Sequence, residues 1–190
     1  MKGLQEVVST LLISGILIGI VGSVYFWGVP LIQKNRDIAT MKGAEEFMKS
    51  LDEKIKLVAS NGGKNELKIS SPGLIEFDGS NITLKIETDG IIYATEAEMP
   101  LGKNDCTITD GNWSIDEPSS LCVYSRKLDK KFFTEYSLKY IKLKTLSESY
   151  KIELNGKHQT GGEGHVISFE NTGTSRVGDI SKTVITISIL

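Results

Sequence analysis

The chain has 190 residues, 39% of them hydrophobic and 24% charged, and a formal charge of −2. That length suits one domain with a short appendage. The near balance of charge argues against nucleic acid or a strongly anionic surface as the partner, because neither would be steered toward it.

Charge is absent from the beginning of the chain. Lys2 and Glu6 are its only charged side chains before Lys34, and Val7 to Ile32 carries none. As a helix, Val7–Val29 would run about 35 Å, against roughly 30 Å of bilayer hydrocarbon. Tyr25, Phe26 and Trp27 sit near its far end, where aromatic rings favour the membrane–water boundary. A cleaved secretory signal would be shorter and end in small residues, which Phe26-Trp27-Gly28-Val29-Pro30 does not. A single-span anchor is one reading. Counting Lys2 against Lys34 and Arg36 slightly favours a cytoplasmic remainder.

A second reading starts from the first residues. Lys2-Gly3, then Leu4-Gln5-Glu6, then the apolar run, resembles the class III signal peptide of type IV pilins, nearest the archaeal pilin and archaellin-like branch. The resemblance covers about 35 residues, under a fifth of the chain. It implies cleavage between Gly3 and Leu4 by a prepilin peptidase, with the helix retained and Glu6 as its third residue. Bacterial pilins carry their acid at the fifth mature position instead. A carboxylate there suits the helix macrodipole, and in a filament it could meet a neighbour's new N-terminal amine. Gly15, Gly19 and Gly22, with Ser14 and Ser23, give the helix a small-residue side. Gly15-x-x-x-Gly19 is a spacing that lets helices approach closely in lipid.

Beyond Leu31 the helical signal turns amphipathic. Met41, Ala44, Met48, Leu51, Ile55 and Val58 step by three or four residues into one apolar stripe. Glu45, Lys49, Asp52, Glu53 and Lys56 read as lying off it, and Asn61-Gly62-Gly63 supplies the stop. The pattern then changes to period two. "ELKIS", "LIEFDG", "NITLKIET" and "IIYATE" read as an antiparallel meander with turns at Asp78-Gly79 and Asp89-Gly90. Further strands are expected at Cys106–Ile108, Leu121–Ser125, Leu138–Thr145, Ser149–Leu154 and Val166–Glu170. The uncharged β-branched run to Leu190 is expected as a core strand of the head, since a free edge of that composition invites pairing with other chains.

Cys106 and Cys122 predict one disulfide in an extracellular head, although two free thiols remain open. Asn81-Ile82-Thr83 and Asn112-Trp113-Ser114 fit the N-glycosylation pattern, which with the cysteines favours an outside head over the slender charge count. His158, Glu163 and His165 share a glycine-rich stretch whose spacing fits no metal motif, so it reads as a polar hairpin loop. Arg126-Lys127-Leu128-Asp129-Lys130-Lys131 reads as a solvated turn. No nucleophile, phosphate loop or apolar carboxylate pair stands out, so neither an enzyme nor a cofactor is expected.

The expected fold is α+β, a long N-terminal helix followed by an antiparallel all-strand head. Its divisions are a leader at 1–3, an apolar helix at 4–33, its amphipathic continuation at 34–62 and a β head at 63–190. The pilin resemblance implies a membrane-inserted subunit that forms homo- or hetero-oligomers with pilin-like copies. The alternative is a membrane-anchored binding domain that never polymerises.

Overall fold

The computed structural model describes residues 2–156, 158–161 and 164–190, and residues 2–6 by their backbone alone. One helix, α1 (Lys2–Asn61), precedes twelve strands. In order they are β1 (Lys64–Lys68), β2 (Leu74–Phe77), β3 (Asn81–Thr88), β4 (Glu98–Pro100), β5 (Asp110–Asn112) and β6 (Ser119–Leu128). There follow β7 (Lys131–Tyr140), β8 (Lys142–Lys144), β9 (Ser149–Asn155), β10 (His158–Gly161), β11 (Val166–Val177) and β12 (Ile180–Ile189). The fold is α+β.

α1 continues unbroken past Pro30, although proline removes one helical donor there. Its upper half carries the expected stripe: Met41, Ala44, Met48, Leu51 and Ile55 are fully buried, and Phe47 and Val58 nearly so. The helix ends at two left-handed glycines, Gly62 (φ 75°) and Gly63 (φ 80°), a conformation that a side chain would oppose. The freed Val58 carbonyl accepts the Gly62 N–H at 2.9 Å and Asn171 Nδ2 at 3.1 Å. A bulge between Asn171 and Gly173 in β11 accompanies this placement of Asn171.

The strands form two six-stranded sheets, ordered β1-β11-β12-β9-β8-β5 and β10-β2-β3-β7-β6-β4. Their inner faces and the α1 stripe make a single core: Ile167, Phe169, Ile185 and Ile187 from the first sheet, Ile75, Ile82, Leu84, Tyr136 and Leu138 from the second. β12 lies between β11 and β9, so the terminal run is a core strand with both edges paired. The Cys106–Cys122 disulfide closes a loop of sequence separation 16 and ties an irregular segment to β6. A closed loop of that size stabilises a fold by about 3 kcal/mol in the chain-entropy treatment.

Several sequence expectations need correction. Of the expected four-strand meander only the β2–β3 hairpin across Asp78-Gly79 forms, because β1 pairs with β11 in the other sheet. Ile91–Glu96 is no strand, making a single bridge from Thr95 to Ser125. Tyr93 is drawn instead toward Glu45 on the helix, so the segment straps α1. Cys106–Ile108 is a turn, closed by Ile108 N–H on the Asp105 carbonyl. His158–Gly161 is an edge strand on β2 rather than a hairpin loop, and Glu163 lies outside the described residues. The head is not wholly antiparallel, because β12–β9 and β5–β8 run parallel. The basic cluster does turn, between β6 and β7, with Asp129 left-handed at φ 55°.

The core assigns opposite sensitivities to the two halves of α1. Leu51→Ala should cost the head about 2–5 kcal/mol in chemical denaturation of the micelle-held protein, through the cavity it leaves. Leu17→Ala should leave the same transition within about 0.5 kcal/mol. Equal losses would contradict this division.

Candidate functional site: an exposed apolar helix clamped to the head

Between Val7 and Ile32, the large hydrophobic side chains are 47–86% exposed, with Trp27 at the upper limit. The segment is long and apolar enough to cross a membrane, with a mean hydropathy of 2.3 over its most apolar window. Gly15, Gly19 and Gly22 fall within one sector of about 60° at 100° per residue. A Cβ on any of the three would meet no atom within 4 Å, so packing inside this chain does not require glycine there. Gly22 lies in a groove of about 540 Å³ with Leu17, Ile18, Val21, Tyr25 and Phe26. The hydroxyls of Ser14 and Ser23 bond back to the carbonyls of Thr10 and Gly19, which satisfies them without water. Gly3, Leu4 and Glu6 belong to α1 by backbone, and their side chains lie outside the description.

Above this segment, polar clamps fix the helix to the head. Asp37, buried although charged, accepts the Gly90 N–H at 2.8 Å. Gln33 Nε2 donates to both Asp37 and Asp89 at 3.2 Å. Two turns higher, the Tyr93 hydroxyl donates to Glu45 Oε2 at 2.9 Å, while the Tyr136 hydroxyl donates to the Met41 carbonyl at 2.9 Å. The two rings meet edge to face, 6.0 Å apart. Burial, aided by Glu45, pushes Tyr93 up to about 12, and burial raises Tyr136 as well.

Asp52 anchors the third clamp. It was expected off the apolar stripe, yet it is buried. Oδ1 accepts from the Tyr140 hydroxyl at 3.0 Å, and Oδ2 accepts from Ser119 at 2.9 Å and Lys56 at 2.7 Å. Lys56 also reaches Glu117 at 3.0 Å. Burial pulls the Lys56 ammonium down, but Asp52 and Glu117 outweigh it and leave it raised. Burial, reinforced by the Asp52 charge, raises Tyr140. A charge taken from water is tolerated only with partners of this kind. The readable signal was spacing: Asp37 continues the line of the stripe one turn before Met41, and Glu45 and Asp52 fall together along one edge of it.

The other expected sites are placed separately. Asn112 is exposed, whereas Asn81 is half-buried with its amide donating to Asp78 at 3.3 Å. Among the described residues one trio of metal-ligand types converges, Glu98 with Cys106 and Cys122, and both sulfurs are spent in the disulfide. The clamps hold the upper part of α1 to the head, and the charge-free segment from Val7 to Ile32 is left exposed.

The clamps make acid sensitivity predictable. The Lys56 bond outweighs burial to lower Glu117 below its usual 4.5, and in Glu45 the bonds to Lys49 and Tyr93 outweigh a larger burial effect to do the same. A lowered carboxylate contributes stability above its unfolded value and loses it as pH falls through its folded one. Head stability should therefore decline as pH drops below about 4.5, and Glu117→Gln should shallow that slope in denaturation curves between pH 3 and 6. Lys56, being raised, keeps its contribution below its usual 10.5 and loses it only in stronger base.

Comparison with family models, curated proteins and solved structures yields no match for this chain.

Proposed function

We propose that the chain is a surface-filament subunit, or an assembly component, of the type IV pilin kind. Its N-terminus lies inside, a prepilin peptidase removes residues 1–3, and the helix from Leu4 to Leu31 moves from lipid into a core of like helices. The observation that carries this reading is the division of α1. One continuous helix is buried against the head above Asp37 and exposed over its whole apolar length below, with three glycines that this chain's own packing does not need. An exposed apolar surface of that extent requires lipid or protein to cover it. Glycines in one sector let helices approach closely when lipid offers no hydrophobic gain from association.

The remaining features are consistent with a head outside the cell. A disulfide persists in oxidising compartments, and the Asn112 sequon is exposed on the head. Glu6 then pairs with the freed amine of a neighbour, offsetting two charges that neither lipid nor a helical core would accept alone.

The double substitution Gly15→Leu with Gly19→Leu separates polymerisation from anchoring. Filaments seen by electron microscopy of native cells should disappear, while the quantity in the membrane fraction stays the same. Undiminished filaments would remove the glycine sector from assembly. A wild-type strain that makes no filaments containing this chain would leave the anchored, non-polymerising domain.

A further inference from the structure

Two adjoining cavities open on the head where α1 ends, and both are lined by Trp113. One, about 590 Å³, lies between the last turns of the helix (Lys56, Ala59, Ser60) and the sheet residues Leu143, Tyr150 and Ile152. The other, about 600 Å³, lies between β5 with the turn that follows it (Asp110–Ser114) and Lys144–Ser147. Each falls in the size range of small-ligand sites. At 1.5 Å per residue they stand about 40 Å along the helix from Ile32. They therefore lie far from the apolar segment.

Trp113 is half exposed, yet its setting is rigid. Its backbone N–H donates to the Lys144 carbonyl at 3.1 Å, and its ring meets Tyr150 edge to face at 5.2 Å. The turn that carries it is closed on itself. Ser114 N–H reaches Asn112 Oδ1 at 2.9 Å, Asp116 N–H reaches the Asn112 carbonyl at 2.8 Å, and Asn112 N–H reaches Asp116 Oδ2 at 2.7 Å. Among the described residues the indole Nε1–H has no partner, so it remains available to a ligand.

The charges around the groove are already spent. Lys56 is held by Asp52 and Glu117, and Lys144 by Asp110 at 2.7 Å. An anionic ligand would find no unpaired ammonium there. What the groove offers is an apolar floor, the half-exposed Trp113 ring, the indole N–H and the hydroxyls of Thr183 and Ser147. Such a pairing of aromatic body with polar handles suits a ligand that is apolar on one face and hydroxylated at its rim.

We infer that this groove is a saccharide-binding site, taking a short uncharged oligosaccharide with one sugar ring stacked on Trp113. The site belongs to the head and does not depend on whether the helix polymerises. Ser114→Ala removes the sequon and leaves the Asn112–Asp116 bonds of the turn in place, so binding is read without a glycan of the chain's own beside the groove.

The test uses full-length Ser114→Ala protein in a detergent without a sugar headgroup, labelled and applied to an array of neutral and acidic glycans. Binding should concentrate on one class of neutral oligosaccharide. In a Trp27→Phe background, titration with the best of these should change Trp113 fluorescence saturably. Trp113→Ala should weaken binding at least tenfold with thermal unfolding unchanged. Ser60→Arg, on the exposed last turn of α1, should block the groove without touching the core. No bound glycan, binding confined to acidic glycans, or binding that survives both variants would overturn the assignment.

Discussion

The head closes around one helix, and the rest of the structure depends on that burial. Met41, Met48, Leu51 and Ile55 reach no solvent, and they face residues from both sheets. Each such side chain is worth roughly 1.5–3 kcal/mol relative to exposure. The stripe is the part of the core that strands of both sheets meet together. The same helix continues for another thirty residues without meeting the head at all, so a single element is divided between two environments. Its upper half is soluble because the sheets cover it. Its lower half has no such cover within the chain.

The clamps add something burial alone does not. Hydrophobic contact is non-directional and would permit the helix to rotate or slide by a fraction of a turn. Asp37 on Gly90, Glu45 on Tyr93, and Asp52 among Ser119, Tyr140 and Lys56 each require one orientation. Because α1 is continuous, a fixed rotation above Asp37 also sets the direction in which the Gly15–Gly22 sector points relative to the head. Copies that packed through that sector would have their heads, and the Trp113 groove, presented in a repeating orientation. Assembly and display would be coupled through helix geometry alone.

The sequence disclosed whatever had a local period. The apolar run, the stripe from Met41 to Val58, the Asn61-Gly62-Gly63 stop, and strands at 74–77, 81–88, 149–154 and 182–189 could all be read from spacing, the last two extending slightly further in the structure. Which strand pairs with which could not, because register across two sheets is decided by a shared core and long connections. Three-residue strands such as β4, β5 and β8 are too short to show alternation. Ile91–Glu96 has strand composition but is diverted by the Tyr93–Glu45 bond, a tertiary contact that overrides propensity. Asp52 was missed because a charged residue is normally assigned to water, and its three partners lie 4, 67 and 88 positions away. The tryptophan groove was equally hidden: Asn112-Trp113-Ser114 read only as a sequon.

The claim that the lower half of α1 is kept for assembly, rather than removed or used as a plain anchor, is tested most directly at the N-terminus. Intact mass and N-terminal sequencing of the protein purified from its own cells would settle where the mature chain begins. A start at Leu4, with the helix retained and Glu6 third, is the predicted result. A start at Met1 or Lys2, from membranes in which the prepilin peptidase is active, would contradict the account and leave an ordinary anchor.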